Sequence, residues 1–485
     1  MATLPASPLE PEIVQALDRL SADDAAAALP FLEAGAAFLV EELMERRLFR
    51  LDRLRDGPLR DDVDEYLARA NQLQVLRSGL LQSDPSDEVG STTARLGELT
   101  QHIRTVDGYG GFLRFPGQEF LASLNYAELV LYLVAGPDLG WAVLQAPGSA
   151  PLVTALPLPE FRDEVVRDQA LRSWFTFASQ PDFSAVTDGL DKVAAWCWDA
   201  CMGVVCANLP AGQRLTIIPL GWAAMLPLQV AYVDDPGAAC GRRYALDHLT
   251  ISYAPNLRVA AVARQPSPAG VDGVAAFAPN AADGPGALPF SGPEANRVIA
   301  IWGGDPALLD GEATPERFVA SLKAVSVVHF AGHARSSPSV PWASALRFGD
   351  EWLTLSDLAG GLGAAGADLV VLSACTSTLA SAGVNAPRGI TIANVLLALG
   401  VHGAVATQWR VIDDASALVA SRFQELLHPS GGAVAGALQS AQQWLRDAPT
   451  DSIHATAAGI GMELESEIDV LRSPVAWGSF VHTGR

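Results

Sequence analysis

Two short apolar runs in this chain end in residues able to do covalent chemistry. Val327-Val328-His329-Phe330-Ala331-Gly332-His333-Ala334 closes on an imidazole, and Leu369-Val370-Val371-Leu372-Ser373-Ala374-Cys375-Thr376-Ser377 closes on a thiol 42 residues later. A cysteine thiolate is a strong nucleophile, and an imidazole that titrates near neutrality can take up a proton and return it. Together they equip a site to attack a carbonyl carbon and protonate the group that leaves. Both runs are rich in β-branched residues and stop abruptly, as strands of a parallel α/β sheet do at the edge where ligands bind. Two neighbouring strands of that kind would set His333 beside Cys375. Taken singly, each residue also has a plain structural reading: a buried thiol at a strand end, and a polar cap on a turn. His329 alternates onto the face of Val327 and Ala331, away from the loop chemistry, and reads as a hydrogen-bonded core histidine.

Strand ends carry chemistry only if the rest of the chain builds the sheet. From about residue 263 strands and helices alternate, with strands expected at Val274–Ala278, Val325–Phe330, Leu369–Leu372 and Ala404–Gln408. A further strand is expected at Ile299–Trp302, a run that reads equally as the close of a helix. Helices are expected near Pro315–Ser321, Thr391–Leu399, Ala415–Leu427 and Ala433–Asp447, which implies a mostly parallel sheet with right-handed crossovers. Upstream, Leu129–Val134, Trp141–Leu144 and Leu152–Leu156 read as a meander, 161–207 as helical, and Leu215–Pro219 and Leu249–Ala254 as strands. This middle region carries no His or Cys placed for catalysis; Cys197, Cys201 and Cys206 lie in the helical run and read as buried structural thiols. The Pro/Gly/Ala-rich stretch 264–295 reads as a boundary or a long loop. The first 105 residues or so read as helices: one from the Ser21-Ala22-Asp23-Asp24 start to about Arg55, then Asp61–Leu81 and about Thr92–Val106. They make a helical hairpin for packing or docking, with no 34-residue repeat.

The 485 residues suggest three domains, and 49% hydrophobic against 18% charged residues gives them full cores. A net charge of −22 argues against a nucleic-acid surface. Five cysteines, an odd number without metal-ligand spacing, suit reduced thiols in a cytoplasm. The opening Met1-Ala2-Thr3-Leu4-Pro5 has neither a basic n-region nor an apolar h-region, so no secretory leader is expected, and no membrane span is read. No metal site, Walker loop or Gly-x-Ser-x-Gly elbow is legible, and no cofactor is expected.

Further motifs extend the match. Thr216-Ile217-Ile218-Pro219-Leu220-Gly221-Trp222 through Leu226-Pro227-Leu228, Ser252-Tyr253-Ala254-Pro255-Asn256, and Leu353-Thr354-Leu355-Ser356-Asp357-Leu358 precede the cysteine strand. Gly403-Ala404-Val405-Ala406-Thr407-Gln408-Trp409-Arg410-Val411-Ile412-Asp413 and Pro474-Val475-Ala476-Trp477-Gly478-Ser479-Phe480 follow it. In this order, over roughly residues 110–485, they resemble the CHAT family of caspase-like cysteine peptidases, clan CD relatives of separase and the caspases. The resemblance implies an α/β fold with a caspase-like, mostly parallel sheet flanked by helices. It divides the chain into a helical N-terminal module (1–109), a pseudo-peptidase α/β half (110–262) and an active caspase-like half (263–485).

For the site, the resemblance implies a His333–Cys375 dyad and an oxyanion hole from the backbone N–H groups of Cys375 and Ala334. Ala334 stands where the family usually has glycine, and alanine resists a positive φ there. Thr376-Ser377-Thr378 stands where Glu-Thr-Gly is frequent. Asp413 matches the acid that lines the S1 pocket of separase-like members and selects Arg or Lys. It reads equally, with Asp414, as a cap for the helix near Ala415. Trp409 is a wall of that pocket or part of the core. The activity implied is limited cleavage of a protein substrate, latent until a protein partner engages the N-terminal helices, in bacterial defence or regulated cell death. The other reading is a catalytically weak or inactive caspase-fold scaffold.

Overall fold

The computed structural model describes residues 11–36, 38–76, 86–114, 117–148, 152–179, 183–265, 272–280, 287–337, 340–361, 365–375, 377, 390–430 and 433–485. The strands, in chain order, are β1 (Leu129–Val134), β2 (Gly140–Gln145), β3 (Val153–Leu158), β4 (Gln213–Pro219), β5 (Tyr232–Asp234), β6 (Arg242–Tyr244), β7 (Leu249–Tyr253) and β8 (Val274–Ala278). They continue with β9 (Leu308–Leu309), β10 (Val327–Ala331), β11 (Ala334–Arg335), β12 (Ala345–Phe348), β13 (Glu351–Thr354), β14 (Leu369–Ser373), β15 (Gly403–Thr407) and β16 (Phe480–Gly484). Among the described residues, eleven of them form one sheet in the order β3-β2-β1-β4-β7-β16-β15-β14-β10-β8-β9.

In this sheet β14 pairs in parallel with both β10 and β15, and β8 pairs in parallel with β10. The hairpins β1–β2 and β2–β3 and the β15–β16 pair run antiparallel. Such strands are covered on both faces, which is why they read as unbroken apolar runs. Successive side chains of β14 enter opposite cores. Leu369 and Val371 face the helices Ser291–Trp302, Asp413–Ser430 and Val434–Asp447, while Val370 and Leu372 face Pro315–Ala324 and Ile392–Ala398. The helices start where local chemistry dictates. Thr314 caps Pro315–Ala324 by accepting from Arg317 N–H at 3.3 Å, and Thr391 accepts from Asn394 N–H at 3.0 Å ahead of Ile392–Ala398.

Ile299–Trp302 is no strand: it closes the helix Ser291–Trp302, and the stretch 264–295 holds β8 and the start of that helix. The β-branched run is too short to decide its own type, and Glu294, Ala295 and Val298 mark the buried helical face.

The β1–β4–β7 strands meet the rest of the sheet at β16, where Tyr253 and Thr483 make the one registered pair. The N-terminal helices bind both sides of this junction. Ile13, Leu17, Leu29 and Leu32 pack with Val130, Tyr132 and Ile218, whereas Val40, Leu43 and Met44 join the core of β10 and β14. Residues 51–112 close a separate core around Val63, Tyr66, Ile103 and Phe112, built on the hairpin Arg60–Leu76/Ser86–Arg104.

Buried carboxylates stitch the first helices to the Ser-Tyr-Ala-Pro-Asn motif. Glu33 accepts from Leu257 N–H (3.0 Å), Arg258 N–H (2.8 Å) and Tyr132 Oη (3.1 Å), at the amino end of the helix Leu257–Ala263. Glu41 accepts from Asn256 Nδ2 at 2.9 Å and pairs with Arg258 at 3.0 Å, and Glu45 also pairs with Arg258.

Candidate active site

β10 and β14 lie in parallel register, Phe330 opposite Leu372 and Ala331 opposite Ser373. The pairing continues one step past the strands, Gly332 N–H donating to Ser373 C=O at 3.1 Å. His333 and Cys375 each follow by two residues the last pair, Ala331 and Ser373, so the two strands deliver them side by side at the carboxyl edge. Both are half-buried. Gly332 is required by contact: a Cβ there would lie 2.8 Å from Phe330 Cζ and 3.3 Å from Pro279 Cγ.

Ala334 opens β11 opposite Leu346 and has no positive φ, so alanine meets no backbone strain at that position. The turn after Cys375 is held by Thr407, whose N–H donates to Ser377 Oγ at 2.9 Å and whose hydroxyl donates to Ala374 C=O. Ser377 is buried, and its role was not legible in the sequence because its partner lies 30 residues away. Thr376 and Thr378 lie outside the described residues.

Burial pushes the Cys375 thiol up; the Val411 N–H hydrogen-bonded to its sulfur and the Arg410 charge pull it back, and Asp413 opposes them. The end of β15 lies beside the turn at Cys375, where Thr407 contacts Ala374 and Ser377 on either side of it. Asp413 heads the helix Asp413–Ser430 and accepts from Phe290 N–H at 3.1 Å. Burial, with Glu294, Asp414 and Glu465 nearby, raises its carboxyl to about 7. Asp414 is used otherwise. It accepts from Glu465 N–H (3.2 Å), Ser466 N–H (2.8 Å), Ser466 Oγ (2.9 Å) and Ala415 N–H (2.8 Å), fixing the 465–466 segment beside the helix. Trp409 is fully buried in the core and donates its indole N–H to Val475 C=O at 2.9 Å, so it backs the site rather than lining it.

A buried polar chain, missed in the sequence, joins β10 and β14. Glu294 pairs with His329 Nε2 at 2.8 Å and accepts from Ser373 Oγ at 3.1 Å, so one carboxylate bridges β10 and β14. Ser373 continues to Ser416 Oγ at 2.7 Å, and Gln424 reaches His329 Nδ1 at 3.4 Å and accepts from Trp302 Nε1 at 2.9 Å. His329 is the core histidine its alternation suggested. Among the described residues, no group of three or more His, Cys, Asp or Glu side chains is placed to hold a metal ion.

A profile for the CHAT domain matches residues 191–485. The chain belongs to the CHAT domain family. Its described residues form an α/β fold, a large mostly parallel sheet flanked by helices and preceded by an N-terminal helical region. Among solved structures, the CHAT chain is similar to the Arg-specific cysteine proteinase gingipain R, at 9% identity and a TM-score of 0.35 over 66% of this chain and 74% of that one. It is also similar to the Saccharomyces cerevisiae separase–securin complex, at 11% identity and a TM-score of 0.46 over 97% of this chain, spanning 38% of that one. No curated relative matches the sequence.

Proposed function

We propose that this CHAT protein is a cysteine endopeptidase that makes limited cuts in a protein substrate. The observation that carries the reading is the parallel register of β10 and β14, which leaves His333 two residues past the end of one strand and Cys375 two residues past the end of its neighbour. In this reading the Cys375 thiolate attacks the scissile carbonyl carbon, a C–S bond forms, and the carbonyl electron pair moves to oxygen. Backbone N–H groups of Cys375 and Ala334 receive that oxyanion. Collapse breaks the C–N bond, and protonated His333 gives its proton to the leaving amine. Neutral His333 then takes a proton from water, which attacks the thioester and releases the acid and Cys375. Asp413 supplies the negative charge of S1 for an Arg or Lys side chain, with Trp409 behind it.

The helices before residue 110 receive the activating protein partner, and a reducing cytoplasm keeps the nucleophile as a thiol. Bacterial defence or regulated cell death is the setting assigned to this cut. No described helix is long and apolar enough to cross a membrane. One feature favours a second reading, a non-cleaving scaffold of the same fold: burial of Cys375 disfavours its thiolate.

Cleavage of a positional-scanning peptide library by wild type and by Cys375→Ala tests both. Cysteine-dependent cleavage after Arg or Lys is the expected result, with Cys375→Ala at background. Equal cleavage by the variant overturns the dyad. Silence of the wild type, with Cys375 also inert to an electrophilic peptide probe, favours the scaffold.

A further inference from the structure

We infer that the half of the sheet without catalytic residues supplies a positioning residue for the nucleophile: Gln229, acting through Gln408 on the segment beside Cys375. The inference rests on the reading of Cys375 as the nucleophile.

Backbone pairing alone joins the two halves weakly, since β7 and β16 share one registered pair. Side chains make the firmer join beside it. Gln229, the residue after the Leu226-Pro227-Leu228 motif, donates from Nε2 to Gln408 Oε1 at 3.0 Å and to Gly478 C=O at 3.0 Å. Its Oε1 accepts from Tyr253 Oη at 2.9 Å. Gln408 returns the contact, donating from Nε2 to Leu226 C=O at 2.9 Å, while its backbone N–H donates to Ser479 C=O at 2.8 Å. Both amides are buried, at 4% exposure each, and both N–H groups of the Gln229 amide are used. A buried polar network of this kind fixes geometry, because breaking one member leaves its partners unsatisfied in a dry site.

What the clasp holds is the exit of β15. Gln408 is the first residue after the strand; Thr407 just before it holds both sides of Cys375, its hydroxyl donating to Ala374 C=O and its N–H to Ser377 Oγ at 2.9 Å, and Val411 follows three residues on. Arg410 lies between Gln408 and Val411, exposed, with its charge felt at the Cys375 thiol. Trp409 is anchored into the core from the other side, and the next helix begins at Asp413. The grip of Thr407 on the residues flanking Cys375 is therefore set by where Gln408 is held, and Gln408 is held by Gln229 and Leu226. The silent half acts on the chemistry without touching substrate.

The test reads Cys375 directly. Carbamidomethylation of the full-length chain by iodoacetamide is followed by peptide mass spectrometry from pH 6 to 10, with exposed Cys240 as the internal reference. Gln229→Leu is expected to move the Cys375 profile upward by about half to one pH unit, roughly three- to tenfold less labelling at pH 7. The Cys240 profile stays unchanged. Tyr253→Phe, which keeps the packing and removes one hydrogen bond, is expected to shift it in the same direction by less. Lower melting temperatures with wild-type Cys375 profiles in both variants would overturn the inference and leave the clasp as glue. Because labelling needs no cleavage, a wild type that neither cuts peptide nor takes up the electrophilic peptide probe sinks the peptidase reading while the iodoacetamide profiles still decide the role of Gln229.

Discussion

In the proposed reading Asp413 carries the S1 charge, and its environment makes that charge conditional. With the carboxyl at about 7, raised first by burial and then by Glu294, Asp414 and Glu465, it is largely neutral at pH 6 and ionised at pH 8. Preference for Arg over a neutral P1 residue should therefore rise with pH through about 7. The ratio of kcat/KM for matched Arg and Ala peptides measures this, because any pH dependence common to both substrates cancels in it. Asp413→Asn should flatten the ratio and lower it at pH 8 by roughly tenfold or more, the scale of one charge-assisted pair. A ratio independent of pH in the wild type would remove Asp413 from S1. The sequence offered Asp413 and Asp414 as interchangeable; the structure separates them by partner, since Asp414 alone takes the backbone of 465–466.

At the scale of elements, the strands of the site were legible and what underlies them was not. β1 and β8 fall at the expected residues and β10 and β14 within two, because runs buried on both faces write a strong apolar signal. The Ile299–Trp302 misreading has the opposite cause: a helix whose amino end has no side-chain cap and whose last turn is β-branched. Glu294 escaped notice because its partners lie 35 and 79 residues away, a spacing no local pattern encodes. Gly332 shows how tightly the strand end is fitted. Gly332→Ala would push a methyl group onto the Phe330 ring and should destabilise by about 1–3 kcal/mol, read as a lower urea midpoint with an unchanged slope. An unchanged midpoint would mean that the Phe330 ring yields freely.

Over the whole molecule, the junction between the first helices and the sheet should respond to pH. Burial, then Glu41, raises Glu33 to about 7, and burial raises Glu45 to about 6 despite Arg258. A raised carboxyl binds more protons folded than unfolded, so its contribution is most favourable below about 4.5 and is lost as pH rises toward 7. His482, lowered to about 4 by burial, works in the other sense: its contribution is present above 6.5 and lost as pH falls toward 4. The comparison that isolates Glu33 is therefore the change in urea midpoint between pH 5.5 and 8 in wild type and Glu33→Gln. The variant should lose less stability on going to pH 8; an identical difference would show that Glu33 does not titrate in that window. The three-part division was expected from chain length and the family resemblance, neither of which reports that residues 13–44 share cores with strands hundreds of residues away.

The seam at β16 also bears on how the chain folds. Tyr253 meets Thr483, and Ser252 meets His482, across 230 residues of intervening sequence. Contacts so far apart close late, since the entropy of so long a loop must be lost before they return any stability. Until β16 arrives, β7 presents an open, apolar edge, the kind of surface on which partly folded chains stick to one another. Refolding of this protein is thus a race between one long-range strand insertion and self-association, decided by chain concentration.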